Sequence, residues 1–119
     1  LKVGLGSDVA GGQTESIFRA IVDAIQASKL RWRLYDKNVK PLTFSNAFYL
    51  ATKGGGEFFG KVGSFESGYE FDAVVLDDSA LLHPQPLDLL QRLERFAYLS
   101  GDICGGVVAK FVQGEKIAL

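Results

Sequence analysis

Asp8 is the side chain in this sequence best placed for chemistry. It stands in the segment Val3-Gly4-Leu5-Gly6-Ser7-Asp8-Val9-Ala10-Gly11-Gly12, just after a short run over 2–6 that reads as a strand. A carboxylate at a strand end can ligate a metal, or carry a proton to and from metal-bound water. In a barrel of parallel strands such a position faces the active site. The small residues around it leave room for a substrate or a neighbouring loop. The competing role is structural, since aspartate is a common turn residue and helix cap. On spacing alone that bland role is the stronger one.

Two nucleotide-binding readings of the same segment fail. A dinucleotide fingerprint needs glycines at its first, third and sixth positions; Gly4 and Gly6 fit, but the sixth position is Val9. A P-loop needs Gly-Lys-Ser/Thr after its spacer, and that tripeptide does not occur. Other candidates are weaker. His83, the one histidine, precedes Pro84 in a loop and reads as a loop histidine rather than a metal ligand. Cys104 has no cationic neighbour in sequence to favour a thiolate and reads as a small packing residue. Lys29, Arg31, Arg33, Lys37 and Lys40, interleaved with Trp32 and Tyr35, read as a solvated helix end. Asp77-Asp78 reads as a pair of carboxylates facing water.

The elements that must position Asp8 follow from periodicity and turn chemistry. After the glycine-punctuated turn, Thr14 is expected to cap a helix, with Glu15 in its first turn. Ile17, Ile21, Ala24 and Ile25 share one face of that helix, which runs at least to Leu30. Thr43 is expected to cap a second helix striped by Phe44, Ala47, Phe48 and Ala51, with Gly54-Gly55-Gly56 ending it and a helical turn near Phe58 and Phe59. A turn over 63–68 leads into a strand over 71–76, whose run Ala73-Val74-Val75-Leu76 predicts burial on both faces. The Pro84 and Pro86 loop precedes a third helix striped by Leu87, Leu90, Leu93 and Ala97, with Leu89 and Phe96 widening its apolar face. Residues 107–112 and 116–119 flank Gln113-Gly114-Glu115 as a hairpin.

Composition narrows the class. The 119 residues suffice for one domain, but a complete (β/α)8 barrel needs about 250. With 47% hydrophobic and 23% charged residues the chain has the balance of a globular protein. A net charge of -1 gives no electrostatic ground for a nucleic-acid or membrane partner. One cysteine excludes an intrachain disulfide, which favours a cytoplasmic setting. The sequence opens on Leu1 and holds no methionine, so a piece of a longer protein is expected.

Leu5-Gly6-Ser7-Asp8-Val9-Ala10-Gly11-Gly12 resembles the segment after the eighth barrel strand in the guanine deaminases of the amidohydrolase superfamily. The likeness continues through Ala51-Thr52-Lys53-Gly54-Gly55, the Val62 to Gly68 turn and Phe71-Asp72-Ala73-Val74-Val75-Leu76. It extends to Phe96-Ala97-Tyr98-Leu99-Ser100-Gly101-Asp102 and Val112-Gln113-Gly114-Glu115-Lys116. Ser67, where proline is frequent, and the bulky Phe58-Phe59 depart from the pattern.

The resemblance implies an α/β fold. Residues 1–60 would be the C-terminal end of a metal-dependent hydrolase (β/α)8 barrel, its last strand and helices. Residues 61–119 would be part of a small composite β-domain. It implies a zinc-dependent hydrolase in which Asp8, as metal ligand and catalytic group, assists a zinc-bound water that attacks a purine carbon and releases ammonia. The metal-binding histidines, including a His-x-His pair, would lie on other segments. The chain in isolation is then expected to bind no zinc tightly and to be inactive, and its open edges predict self-association. A chlorohydrolase or another aminohydrolase of the superfamily is an alternative. A small α/β binding module without catalysis is another.

Overall fold

A computed structural model describes residues 2–99 and 106–119. Cys104 and Ser100-Gly101-Asp102, singled out in the sequence, lie outside the described residues. The elements run α1 (Ile17–Leu34), α2 (Phe44–Ala51), α3 (Lys53–Gly56), β1 (Ala73–Leu76), α4 (Leu89–Leu99), β2 (Val107–Val112) and β3 (Glu115–Ile117).

The long helix α1 forms on the expected face, burying Ile21, Val22 and Ile25. Its cap is Ser16, not Thr14: the Ser16 hydroxyl accepts from the Arg19 N–H at 3.4 Å. Thr14 lies two residues too early and accepts from the Ser16 N–H at 3.1 Å, so Glu15 precedes the helix instead of entering its first turn. At the other end Arg31 and Arg33 occupy the last turn, where cations complement the helix dipole. Trp32 and Tyr35 are exposed there, as a solvated helix end requires.

Thr43 caps α2 as expected. Its hydroxyl accepts from Asn46 N–H at 3.2 Å, and Asn46 Oδ1 accepts from Thr43 N–H at 3.2 Å, a reciprocal capping box. Ser28 fixes the connection between the two helices: its hydroxyl donates to the Ile25 carbonyl at 2.7 Å and accepts from Leu42 N–H at 2.9 Å. The glycine triplet does not simply end α2, because Lys53 and the three glycines wind the separate turn α3. Thr52 marks the break, its hydroxyl donating to the Phe48 carbonyl at 2.8 Å.

The core is helical. Ile21, Val22 and Ile25 of α1, Phe44 and Ala47 of α2 and Ala97 of α4 form one buried cluster, flanked by Leu5, Phe18 and Leu93. Phe18 meets Phe96 edge to face at 5.4 Å. Asp88 and Gln91 open α4 with a reciprocal pair, Gln91 N–H to Asp88 Oδ1 at 2.8 Å and Asp88 N–H to Gln91 Oε1 at 3.0 Å. Of its expected stripe, Leu93, Phe96 and Ala97 turn inward, whereas Leu89 and Leu90 face solvent.

The described strands form an antiparallel sheet in the order β1-β2-β3. Ala73 pairs with Phe111 and Leu76 with Val107, with an irregularity between Val75 and Leu76. Gln113 and Gly114, both at positive φ (50° and 83°), make the β2–β3 turn, as a tight hairpin demands. The expectation of a doubly buried β1 is overturned. Val74 and Val75 remain 52% and 44% exposed, because nothing among the described residues packs over them.

The expected first strand is also missing. Residues 2–7 belong to no sheet; one backbone bond, Leu5 N–H to the Leu50 carbonyl at 2.9 Å, anchors them. A strand is defined by its neighbour, and among the described residues no strand pairs with this segment. The chain is thus a mixed α/β assembly.

Candidate functional site

The irregular segment over 2–7 leads Asp8 into a turn. Asp8 takes φ 49°, a left-handed conformation that aspartate tolerates better than most side chains. Its carbonyl accepts from Gly11 N–H at 2.9 Å and also from Gly12 N–H. Gly11 lies under the Asp8 carboxylate, which a β-carbon there would meet at 2.7 Å, and Gly12 is required outright, because a β-carbon there would collide with the Ser7 carbonyl. The carboxylate therefore leans over Gly11, exposed, and no hydrogen bond or ion pair engages it among the described residues. The turn role weighed for Asp8 is present in its backbone bonds, and its side chain is left free among the described residues. Ala10, at φ 73°, is a strained feature that the residue order did not reveal.

Beside the segment runs an open groove of about 740 Å³, lined by Gly4 to Gly6, Ala51, Thr52, Gly55 and the rings of Phe58 and Phe59 among others. Gly4 and Gly55 let the two backbones touch there, since a β-carbon on Gly4 would lie 2.8 Å from the Gly55 α-carbon. Asp8 stands outside this lining, and so does His83.

His83 sits elsewhere, its Nδ1 2.9 Å from the Gln85 carbonyl, in a separate hollow with Asp78, Arg92 and Arg95. Asp8 and His83 are thus not brought together. Among the described residues no group of three His, Cys, Asp or Glu side chains could hold a metal ion. Asp8 can offer one ligand or one proton acceptor, and the described residues do not complete a metal site around it.

Asp77 and Asp78 do not merely face water. Asp77 accepts from Ser79 N–H at 2.9 Å, and the Ser79 hydrogen bonds hold its carboxyl below the usual range. Asp78 grips Arg92 with two bonds of 2.7 Å, which lower its pKa in turn. Nearer the groove, Lys53 pairs with Glu66 and lies 5.5 Å from the Tyr69 ring centroid. That pairing lowers the Glu66 pKa and raises that of Lys53. Tyr49 donates to Glu57 Oε1 at 3.2 Å, and the glutamate raises the phenol's pKa.

Among the described residues Asp8 thus stands as an unpaired carboxylate in a glycine turn that precedes the helical core. The chain belongs to the amidohydrolase family, whose model matches residues 1–116. It resembles guanine deaminases in particular. It is 35% identical to the guanine deaminase of Dictyostelium discoideum, covering 98% of this chain and 27% of that protein. Against the Homo sapiens guanine deaminase identity is 39%, covering 94% of this chain and 24% of that protein. A crystal structure of guanine deaminase from C. acetobutylicum, with guanine bound in its active site, superposes with a TM-score of 0.89 at 51% identity, covering 98% of this chain and 27% of that one. The E. coli guanine deaminase gives 0.81 at 26% identity, covering 99% and 27%. The chain spans about a quarter of the length of the relatives it matches.

Proposed function

We propose that this chain is the C-terminal part of a cytoplasmic, zinc-dependent guanine deaminase, which converts guanine and water to xanthine and ammonia. Its residues 1–60 would end a (β/α)8 barrel, and residues 61–119 would supply part of a small composite β-domain. The match to guanine deaminases along almost the whole chain carries this reading. The exposed, unpaired carboxylate of Asp8 is consistent with it.

Zinc would supply an activated water, its ligands coming mostly from histidines outside this chain. The part played here is narrow. Asp8 would accept a proton from the attacking water and return it to the departing nitrogen, while the Asp8-to-Gly12 turn holds its carboxylate in position. The Gly11 and Gly12 backbone keeps that approach clear.

The isolated chain, given zinc and guanine, is expected to form no xanthine; measurable turnover would refute the division of labour. Recovering the preceding coding sequence is the second test. A His-x-His pair upstream is expected, and its absence would remove the assignment.

A further inference from the structure

We infer, resting on the role proposed above for Asp8, that Asp23 is a positioning residue for it: Asp23 ties the exit of the Asp8 turn, through Gln13, to the side of α1.

The turn over 8–12 is closed on itself. The Asp8 carbonyl accepts from both the Gly11 and the Gly12 N–H, and a β-carbon on Gly12 would collide with the Ser7 and Asp8 carbonyls. Where so tight a turn points depends on what holds its two ends. At the entry, Leu5 N–H is bonded to the Leu50 carbonyl at 2.9 Å. From there to the exit, no hydrogen bond among the described residues joins residues 6–12 to another segment. Gln13, the first residue beyond the turn, makes the second anchor. Its side-chain Nε2 donates to Oδ2 of Asp23, in the second turn of α1.

Asp23 is fitted to this task because both its oxygens are used at once. While Oδ2 takes Gln13, Oδ1 accepts from Arg19 Nε at 3.1 Å. Residues four apart share a helix face, so the arginine holds the carboxylate where Gln13 reaches it. The Asp23 side chain is 34% exposed, and a bond to an ionised acceptor is stronger than a neutral one. The path between Gln13 and α1 is ordered as well, since Thr14 accepts from Ser16 N–H and Ser16 caps the helix. Neither Gln13 nor Asp23 belongs to the buried cluster. Losing their bond would let the turn swing and leave the core in place, and a proton-transferring group tolerates little displacement.

The test takes a full-length guanine deaminase carrying this segment, with Gln13→Ala, Asp23→Ala, the two combined, and Asp8→Asn. Hydrogen exchange read by mass spectrometry is expected to run about three- to tenfold faster over 8–13 in each bridge variant, with exchange over 21–25 of α1 unchanged. The kcat for xanthine formation is expected to fall about three- to tenfold, with KM changed less than about twofold. The two losses should not add in the combined variant, and the Asp23→Ala loss should vanish in an Asp8→Asn background. Gln13 is exposed and lies outside the helix, so Gln13→Ala carries the test if Asp23→Ala does not fold. Faster exchange throughout α1 would mark a structural role only and overturn the proposal. If Asp8→Asn lowers kcat and the bridge variants do not, the bridge alone fails. If Asp8→Asn leaves kcat unchanged, the role proposed for Asp8 fails and the bridge with it.

Discussion

Asp8 separates its backbone from its side chain. Its backbone accepts two turn N–H groups and its carboxylate stays unpaired. Replacement by asparagine keeps the tolerance for a left-handed φ and removes only the charge. Under the function proposed above, Asp8→Asn in a full-length guanine deaminase carrying this segment would lower kcat by about 10²–10⁴ with the fold intact, the usual worth of a proton-transferring group; steady-state xanthine formation measures it. Ala10, without a polar side chain to excuse its φ of 73°, makes the opposite prediction. Ala10→Gly is expected to stabilise the chain by roughly 0.5–1 kcal/mol, the left-handed penalty less the entropy glycine brings to the unfolded state. Urea unfolding would read it. The depressed pKa values of Asp77, Asp78 and Glu66 all have one sign. Each contributes stability that is present above the unfolded carboxylate value of about 4 and is lost as pH falls through the lower folded value. Acid titration should therefore destabilise the chain below about pH 4, and Asp78→Asn should flatten that limb; an unchanged limb would show the Arg92 clasp to be idle.

At the scale of elements, the helices were legible in the residue order and the strands only partly so. α1 and α2 carry their own evidence: apolar spacing at three and four residues, and the expected Thr43 cap, to which the structure adds the reciprocal Asn46 bond. Thr43→Ala should cost about 1 kcal/mol by freeing the first turn of α2. Ile21→Ala should cost more, about 2–5 kcal/mol, since Ile21 is 1% exposed at the centre of the cluster. Thermal unfolding followed by circular dichroism distinguishes the two. The shift of the α1 cap from Thr14 to Ser16 has a local cause, because both hydroxyls offer an acceptor and only the turn upstream decides which one the helix begins on. The β-strands depend on partners that local pattern does not name. Over 2–6 the sequence has strand character and no strand forms; β1 has the apolar run of a buried strand and lies half exposed.

The whole molecule is open. Its accessible surface of 8649 Å² exceeds the about 6,300 Å² expected of a compact monomer of its mass, and its radius of gyration is 15.4 Å against about 13.5 Å. The excess is apolar in large part: Phe59 and Leu82 are 85% and 84% exposed. Surfaces of this kind seek cover, so the chain in isolation should self-associate, with mass by light scattering rising as concentration increases; a strict monomer at all concentrations would contradict this. No helix among the described residues is long and apolar enough to cross a membrane. Helix positions, the hairpin and the Asp8 segment were all readable in the order of residues, because each rests on contacts between near neighbours or on a motif of contiguous residues. Tertiary structure alone decided which apolar residues found a partner and that Asp78 clasps Arg92. Those outcomes depend on distant segments meeting, or failing to meet, and no local spacing encodes them.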